Sequence, residues 1–168
     1  MTEPKTTLNS FQCIDALEVS LTIEKQGLIF YDKATKTASD PRVRAIFSRL
    51  ADEEKEHIQS LQNKARFLQP VLAKKSFSRA SKVENFIKNE LEGKVFPDSG
   101  CGEREIKSDL EALDIGIEAE KRSIELLSRL MDDEKKMDVR VIFSHLLAEE
   151  RKHLLMLEEL KQTLNKKG

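Results

Sequence analysis

Apolar residues recur three and four positions apart along four long segments of the chain, the spacing of one buried face of an α-helix. In the first segment, Leu17 and Leu21 are followed on the same stripe by Leu28 and Tyr31. The four helices that this pattern predicts cover residues 11–37, 41–69, 104–132 and 138–164. Aromatic residues make up only 5% of the chain and Pro and Gly are scarce, which favours long helices over a β-sandwich. We therefore expect an all-α fold.

The chain also repeats itself, without a gap, at a distance of 96 residues. The aligned pairs include Ala16-Leu17 with Ala112-Leu113, Ile46-Phe47-Ser48 with Ile142-Phe143-Ser144, and Glu53-Glu54 with Glu149-Glu150. Internal repeats of this kind indicate copies of one supersecondary unit. We expect two helical hairpins of the same design, about residues 11–69 and 104–164, within a single domain that covers residues 1–168.

The segments between the helices predict how the hairpins are connected. Asp40 can cap the second helix, and Pro41 suits its first position. Asp138 is the expected cap of the fourth helix. A long connection, about Gln69 to Glu103, joins helices two and three and contains a short predicted helix near Ser81 to Glu92. An antiparallel four-helix bundle with a long crossover between helices two and three has the ferritin-like topology.

Ionisable residues interrupt all four apolar stripes at the same depth of the repeat. They are Glu24, Glu54, His57, Glu120, Glu150 and His153. One reading is that these are ordinary core residues with polar partners. However, no Lys or Arg lies on the same stripes, and an unpaired buried carboxylate costs several kcal/mol or takes up a proton. Two divalent cations would neutralise the four carboxylates, which favours a metal site.

The spacing of these residues points to the same kind of site. Glu54 and His57 are three residues apart and share one side of their helix, and Glu150 and His153 repeat the arrangement. A Glu on each of two helices, with Glu-x-x-His on the other two, is the ligand pattern of di-iron carboxylate proteins. Carboxylate and imidazole ligands suit iron or manganese. We expect two iron ions, with manganese or zinc as substitutes. His145 points to another face, so we expect it at the surface.

Four segments resemble the rubrerythrin branch of the ferritin-like superfamily. They are Ile23–Tyr31, Asp52–His57, Glu118–Ser123 and Glu149–His153. The resemblance implies a di-iron centre in an antiparallel four-helix bundle. It implies that Glu24 and Glu120 are terminal ligands, that Glu54 and Glu150 are bridging ligands with a catalytic role, and that His57 and His153 are nitrogen ligands. It also places Tyr31 beside the ligands.

Two departures from that family change the expected chemistry. Rubrerythrins carry an additional glutamate one turn after the ligand of the third helix, where this chain has Ser123. The remaining ligands form a symmetric set that resembles the bacterioferritin centre, so we expect a near-symmetric metal pair. No rubredoxin module with four cysteines follows the fourth helix, so we expect a separate electron-donor protein. We also expect a homodimer.

The sequence leaves three functions open. The leading one is an oxidoreductase that reduces peroxide or dioxygen at two metal ions, and the alternative is a ferritin-type storage protein with ferroxidase activity. The third is a bundle that has lost its metal. A net charge of −1 gives no reason to expect nucleic acid, and no apolar run or signal-peptide core indicates a membrane or export. We expect a cytoplasmic protein in which Cys13 and Cys101 are free thiols.

Overall fold

The computed structural model describes residues 11–72, 77–97 and 106–166, and within these ranges it contains helices and no β-strand. The helices are α1 (Cys13–Thr37), α2 (Pro41–Leu72), α3 (Phe77–Phe86), which runs into a π-helical turn (Ile87–Leu91), α4 (Asp109–Asp133) and α5 (Met137–Asn165). Helix α1 packs against α2 and α4 packs against α5, while α1 also contacts α4 and α5. The predicted all-α, ferritin-like bundle is therefore confirmed. Its assignment to one domain over residues 1–168 stays a prediction.

The crossover between α2 and α4 covers one side of the bundle. Helix α3 and the π-helical turn contact α1, and Val95 and Phe96 after the turn are buried. The Phe96 ring lies 5.8 Å from that of Phe30 and 6.0 Å from that of Tyr31, measured between centroids. Because these contacts lie on α1 beside Glu24, the crossover shields the neighbouring core from water. The short crossover helix that the sequence predicts is present, but it begins earlier, at Phe77.

The predicted start of α2 is right, while the start of α4 differs from the prediction. The Asp40 carboxylate accepts the backbone N–H of Arg42 at 2.8 Å, so Asp40 caps α2 as predicted, and Pro41 is its first residue. Helix α4 begins at Asp109 rather than near 104, because Ser108 caps it by accepting the N–H of Glu111 at 3.1 Å.

Asp138 does not cap α5, contrary to the prediction. The cap position belongs to Lys136, and Asp138 lies inside the first turn. Glu134 stabilises the turn between α4 and α5. Its Oε1 accepts the backbone N–H groups of Lys135 and Lys136, and its Oε2 accepts that of Phe11. Helix α5 therefore begins at Met137, one residue before the predicted cap.

Among the described residues, no helix is long and apolar enough to cross a membrane.

Candidate metal centre

Four helices each place acidic or imidazole side chains at one level of the core. Glu24 comes from α1, Glu54 and His57 from α2, Glu120 from α4, and Glu150 and His153 from α5. Five of the six residues are buried and His57 is half-buried. They form two groups in which the ligand atoms lie within 4.8 Å of one another: Glu54, Glu120, Glu150 and His153, and Glu24, Glu54 and His57. All six residues that the sequence singled out are thus brought together, with Glu54 shared by both groups.

The larger group surrounds the imidazole of His153. Its Nδ1 atom lies 3.6 Å from Glu54 Oε1, 3.6 Å from Glu120 Oε1 and 3.5 Å from Glu150 Oε2. The side chain of His153 has no exposed surface. Three carboxylate oxygens and one nitrogen therefore face a common point in the interior.

The smaller group surrounds His57. The Nδ1 atom of His57 lies 3.2 Å from Glu24 Oε2, and 24% of the His57 side chain is exposed. The two imidazoles stack with their centroids 5.9 Å apart and their planes 17° apart. In both histidines the nitrogen that faces the candidate ligand carboxylates is Nδ1, so the two halves of the repeat present the same ring nitrogen to the centre.

These residues fit divalent metal ions. Among the described residues, Glu54 Oε2, Glu120 Oε2 and both ring nitrogens of His153 are buried without a hydrogen-bond partner. Buried polar atoms in native proteins nearly always have one. Two ligand atoms bound at about 2.1 Å to one ion, at a tetrahedral angle, lie about 3.4 Å apart. The separations of 3.5 and 3.6 Å around His153 Nδ1 are close to this value, so an ion satisfies atoms that the protein alone leaves without partners.

The electrostatics of the site explain what the ligands do without metal. Burial, together with the adjacent carboxyl of Glu24, holds the pKa of Glu54 well above its ordinary value. Burial and the charge of Glu150 do the same for the pKa of Glu120. Burial alone disfavours a charged imidazole, but the carboxylates of Glu120 and Glu150 outweigh it and raise the pKa of His153 to about 10. The metal-free centre therefore retains protons that bound cations must displace.

Glu150 behaves differently from the other two carboxyls. Burial raises its pKa, but the adjacent imidazole of His153, the carboxyl of Glu120 and the hydroxyl of Ser123 together outweigh burial, and the net shift is downward. The Ser123 hydroxyl donates to Glu150 Oε1 at 2.5 Å. Ser123, which the sequence marked as the place of a missing ligand, thus holds a neighbouring ligand instead.

Tyr31 lies where the sequence places it, beside the ligands. Its hydroxyl donates to Glu120 Oε1, and its ring stacks on Phe47 at a centroid distance of 6.0 Å. The side chain is fully buried, and this burial together with the charge of Glu120 holds the pKa of Tyr31 well above its ordinary value. Tyr31 therefore remains a neutral donor that fixes one oxygen of Glu120.

Sequence reasoning missed two further carboxylates at this site, Glu53 and Glu149. The Oε2 atom of Glu53 lies 3.4 Å from Nε2 of His153, and that of Glu149 lies 3.6 Å from Nε2 of His57. Each carboxylate thus reaches the imidazole of the opposite hairpin. Carboxylates in this position orient a metal-binding imidazole and raise its basicity. The signal was available, because the dipeptide Glu-Glu precedes each histidine in both halves of the repeat.

Each of these two carboxylates is also anchored on its outer side. Glu53 Oε1 accepts a hydrogen bond from Nε of Arg49 at 2.7 Å. Glu149 Oε1 accepts one from Nζ of Lys152 at 2.7 Å. The cations lie on the same helices as the carboxylates, so each helix presents a pre-oriented acceptor to the histidine opposite.

Two other residues that the sequence raised, His145 and Cys13, lie outside the two ligand groups. His145 is exposed, as expected. Cys13 is a free thiol whose Sγ donates to Asp138 at 3.0 Å, and burial with this contact raises its pKa to about 11. Cys101 lies outside the described residues.

A helical bundle that gathers carboxylates and imidazoles from four helices belongs to the ferritin-like class. A model of the rubrerythrin family matches residues 15–161, and the chain belongs to that family. Searches of curated proteins and of solved structures found no match. The family typically binds a di-iron centre, and this chain carries a glutamate and histidine group that could hold metal.

Proposed function

We propose that this protein binds two iron ions with the six residues at its core and uses them to reduce hydrogen peroxide. The observation that carries the proposal is the convergence of six ligand side chains with buried atoms that lack partners among the described residues. Glu24 and Glu120 would be the terminal ligands, and Glu54, which belongs to both groups, and Glu150 would be the catalytic ones. His57 and His153 complete the two sets.

The reaction is a two-electron reduction. When bound, two ferrous ions would supply one electron each, and one hydrogen peroxide would take up these electrons and two protons to give two waters. The family is associated with peroxide substrates, and the partly exposed His57 offers a small molecule the shorter way in. A separate electron-donor protein then returns two electrons to the centre.

The protein's own groups prepare this site. Tyr31 and Ser123 each donate a hydroxyl hydrogen bond to one carboxylate, which keeps those oxygens in place as the charge of the metals changes. Glu53 and Glu149 lie 3.4 and 3.6 Å from the outer nitrogens of the two imidazoles, where each could accept a hydrogen bond from a metal-bound histidine. Prearranged ligands of this kind need little reorganisation during a redox cycle.

Stopped-flow oxidation of the ferrous protein tests the proposal. We expect rapid oxidation with one peroxide consumed for every two ferrous ions, slower oxidation by dioxygen, and loss of both in Glu54→Gln, which removes the shared ligand. Glu56→Gln, an exposed change on the same helix, is the control. Faster oxidation by dioxygen, with iron then accumulating beyond two ions per chain in a large hollow assembly, would instead support ferritin-type storage.

A further inference from the structure

The two halves of the repeat differ at one pair of equivalent positions inside the centre. Gly27 follows Glu24 by three residues, and Ser123, which lies 96 residues later, follows Glu120 by the same distance. Both residues are buried. Gly27 sits beside Glu54 and Ser123 beside Glu150, so the difference acts directly on the glutamate of the Glu-x-x-His pair in each hairpin.

In the second half, the hydroxyl anchors its glutamate. Ser123 Oγ donates to Glu150 Oε1 at 2.5 Å, while Glu150 Oε2 lies 3.5 Å from Nδ1 of His153. Both oxygens of Glu150 are therefore engaged on the side of His153.

In the first half, Gly27 leaves space for the Glu54 carboxylate and offers it no hydroxyl hydrogen bond. A Cβ atom at position 27 would lie 2.6 Å from Glu54 Oε1 and 3.3 Å from Cζ of Phe96, so the carboxylate occupies the space that any side chain would take. Glu54 Oε2 has no hydrogen-bond partner among the described residues. Glu54 therefore lacks the hydroxyl donor that Glu150 has in Ser123, although the repeat makes the two glutamates equivalent.

The ligand groups reflect this difference. Glu54 belongs to both groups, whereas Glu150 belongs only to that of His153. The group of His153 has four members and the group of His57 has three. The His153 side chain is fully enclosed, while 24% of the His57 side chain is exposed. The position at His57 is therefore both poorer in protein ligands and closer to solvent.

We propose that Ser123 is a positioning residue that holds Glu150 to the His153 side and so makes the two metal positions unequal. The position at His153 is filled by protein ligands, and the position at His57 keeps a place for a small anionic ligand. This inference rests on the two-metal function proposed above. It replaces the near-symmetric pair expected from the sequence with a tight buried position and an open, exchangeable one.

Anaerobic titration with Co(II) tests this inference, with visible absorption reporting coordination at each step. The wild type should bind two ions in two separate steps, and azide should alter the spectrum of the second ion only. Ser123→Ala removes the hydroxyl and frees Glu150 to reach both positions. The ratio of the two dissociation constants should then fall about tenfold or more, the effect of one hydrogen bond to a charged group.

Two matched glycine substitutions distinguish an effect on the metal centre from a general effect on helix packing. Gly27→Ala displaces the Glu54 carboxylate, which is shared, so both steps should weaken. Gly116→Ala adds the same methyl group to α4, where its nearest neighbours are the apolar side chains of Leu157 and Phe30, both at 3.3 Å, and should leave both constants unchanged. Because alanine favours helices, both variants should fold, which thermal melts without metal will check.

The outcomes distinguish this inference from the proposed function. Two equal binding steps in the wild type, or an unchanged ratio in Ser123→Ala, would overturn the inequality and leave the two-metal function standing. Azide binding to both ions alike would also overturn it. A wild-type protein that binds no Co(II) would overturn both.

Discussion

Replacing Glu120 by Gln should stabilise the metal-free protein at alkaline pH while weakening its response to metal. Glu120 and His153 both have pKa values raised in the folded state. A group with a raised pKa contributes stability that is complete below its unfolded pKa and is lost as the pH rises through its folded pKa. The metal-free wild type should therefore become less stable as the pH rises above neutrality.

The magnitude follows from His153, whose pKa is raised from 6.5 to about 10. Between these values the folded state loses about 1.4 kcal/mol for each pH unit. From pH 6.5 to 8.5 the loss is about 2 kcal/mol, which lowers Tm by roughly 4–9 °C in a protein of this size. Glu120 and Glu150 share the raising of this pKa, so Glu120→Gln should reduce the fall in Tm by about half or more.

Thermal denaturation at pH 6.5 and 8.5, with chelator and with excess Mn(II), gives the complete comparison. Mn(II) at a hundredfold excess over its Kd should stabilise the wild type by about 2.7 kcal/mol per site, and the variant by much less. Glu118→Gln, which removes an exposed charge from the same helix, is the control and should follow the wild type. A metal-free wild type with the same Tm at both pH values, or an unchanged slope in Glu120→Gln, would refute the reasoning.

Three other results are expected. Tyr31→Phe keeps the ring contacts but removes the donor to Glu120, so the metal-free Tm should fall by roughly 2–10 °C, and a fall under about 1 °C would contradict this contact. Glu53→Gln should weaken Mn(II) binding by calorimetry about ten- to a hundredfold, whereas equal affinity in the variant and wild type would remove its orienting role toward His153. Mn(II) should raise Tm less at pH 5 than at pH 7, because protons compete for the ligands; equal rises at both would exclude that competition.

The sequence predicted most of the bundle and the six candidate ligands because both depend on helical periodicity. A charged residue on an apolar stripe points inward wherever the helix packs, as Glu24 and Glu120 do. The repeat of 96 residues also shows which positions of the two halves are equivalent, and it aligns Glu54 with Glu150. Neither the helical stripes nor the repeat depends on the geometry of the loops.

The features it missed depend on tertiary geometry. Glu53 and Glu149 lie outside the apolar stripes, and their importance depends on how closely the opposite hairpin approaches. Gly27 has no side chain and so adds nothing to the apolar pattern of its helix. In the folded protein, the Glu54 carboxylate occupies the space beside it. The start of α5 also depends on Glu134, which accepts the backbone N–H of Phe11, 123 residues away, as well as those of Lys135 and Lys136. The sequence near Asp138 does not reveal the contact with Phe11.

The number of iron ions that one chain binds is the most direct test of the central claim. This number is measured by equilibrium dialysis against ferrous iron under anaerobic conditions, followed by metal analysis of the protein. We predict two ions per wild-type chain and a large loss in Glu54→Gln, since Glu54 belongs to both ligand groups. Fewer than two ions in the wild type, or the same binding in Glu54→Gln, would contradict the account.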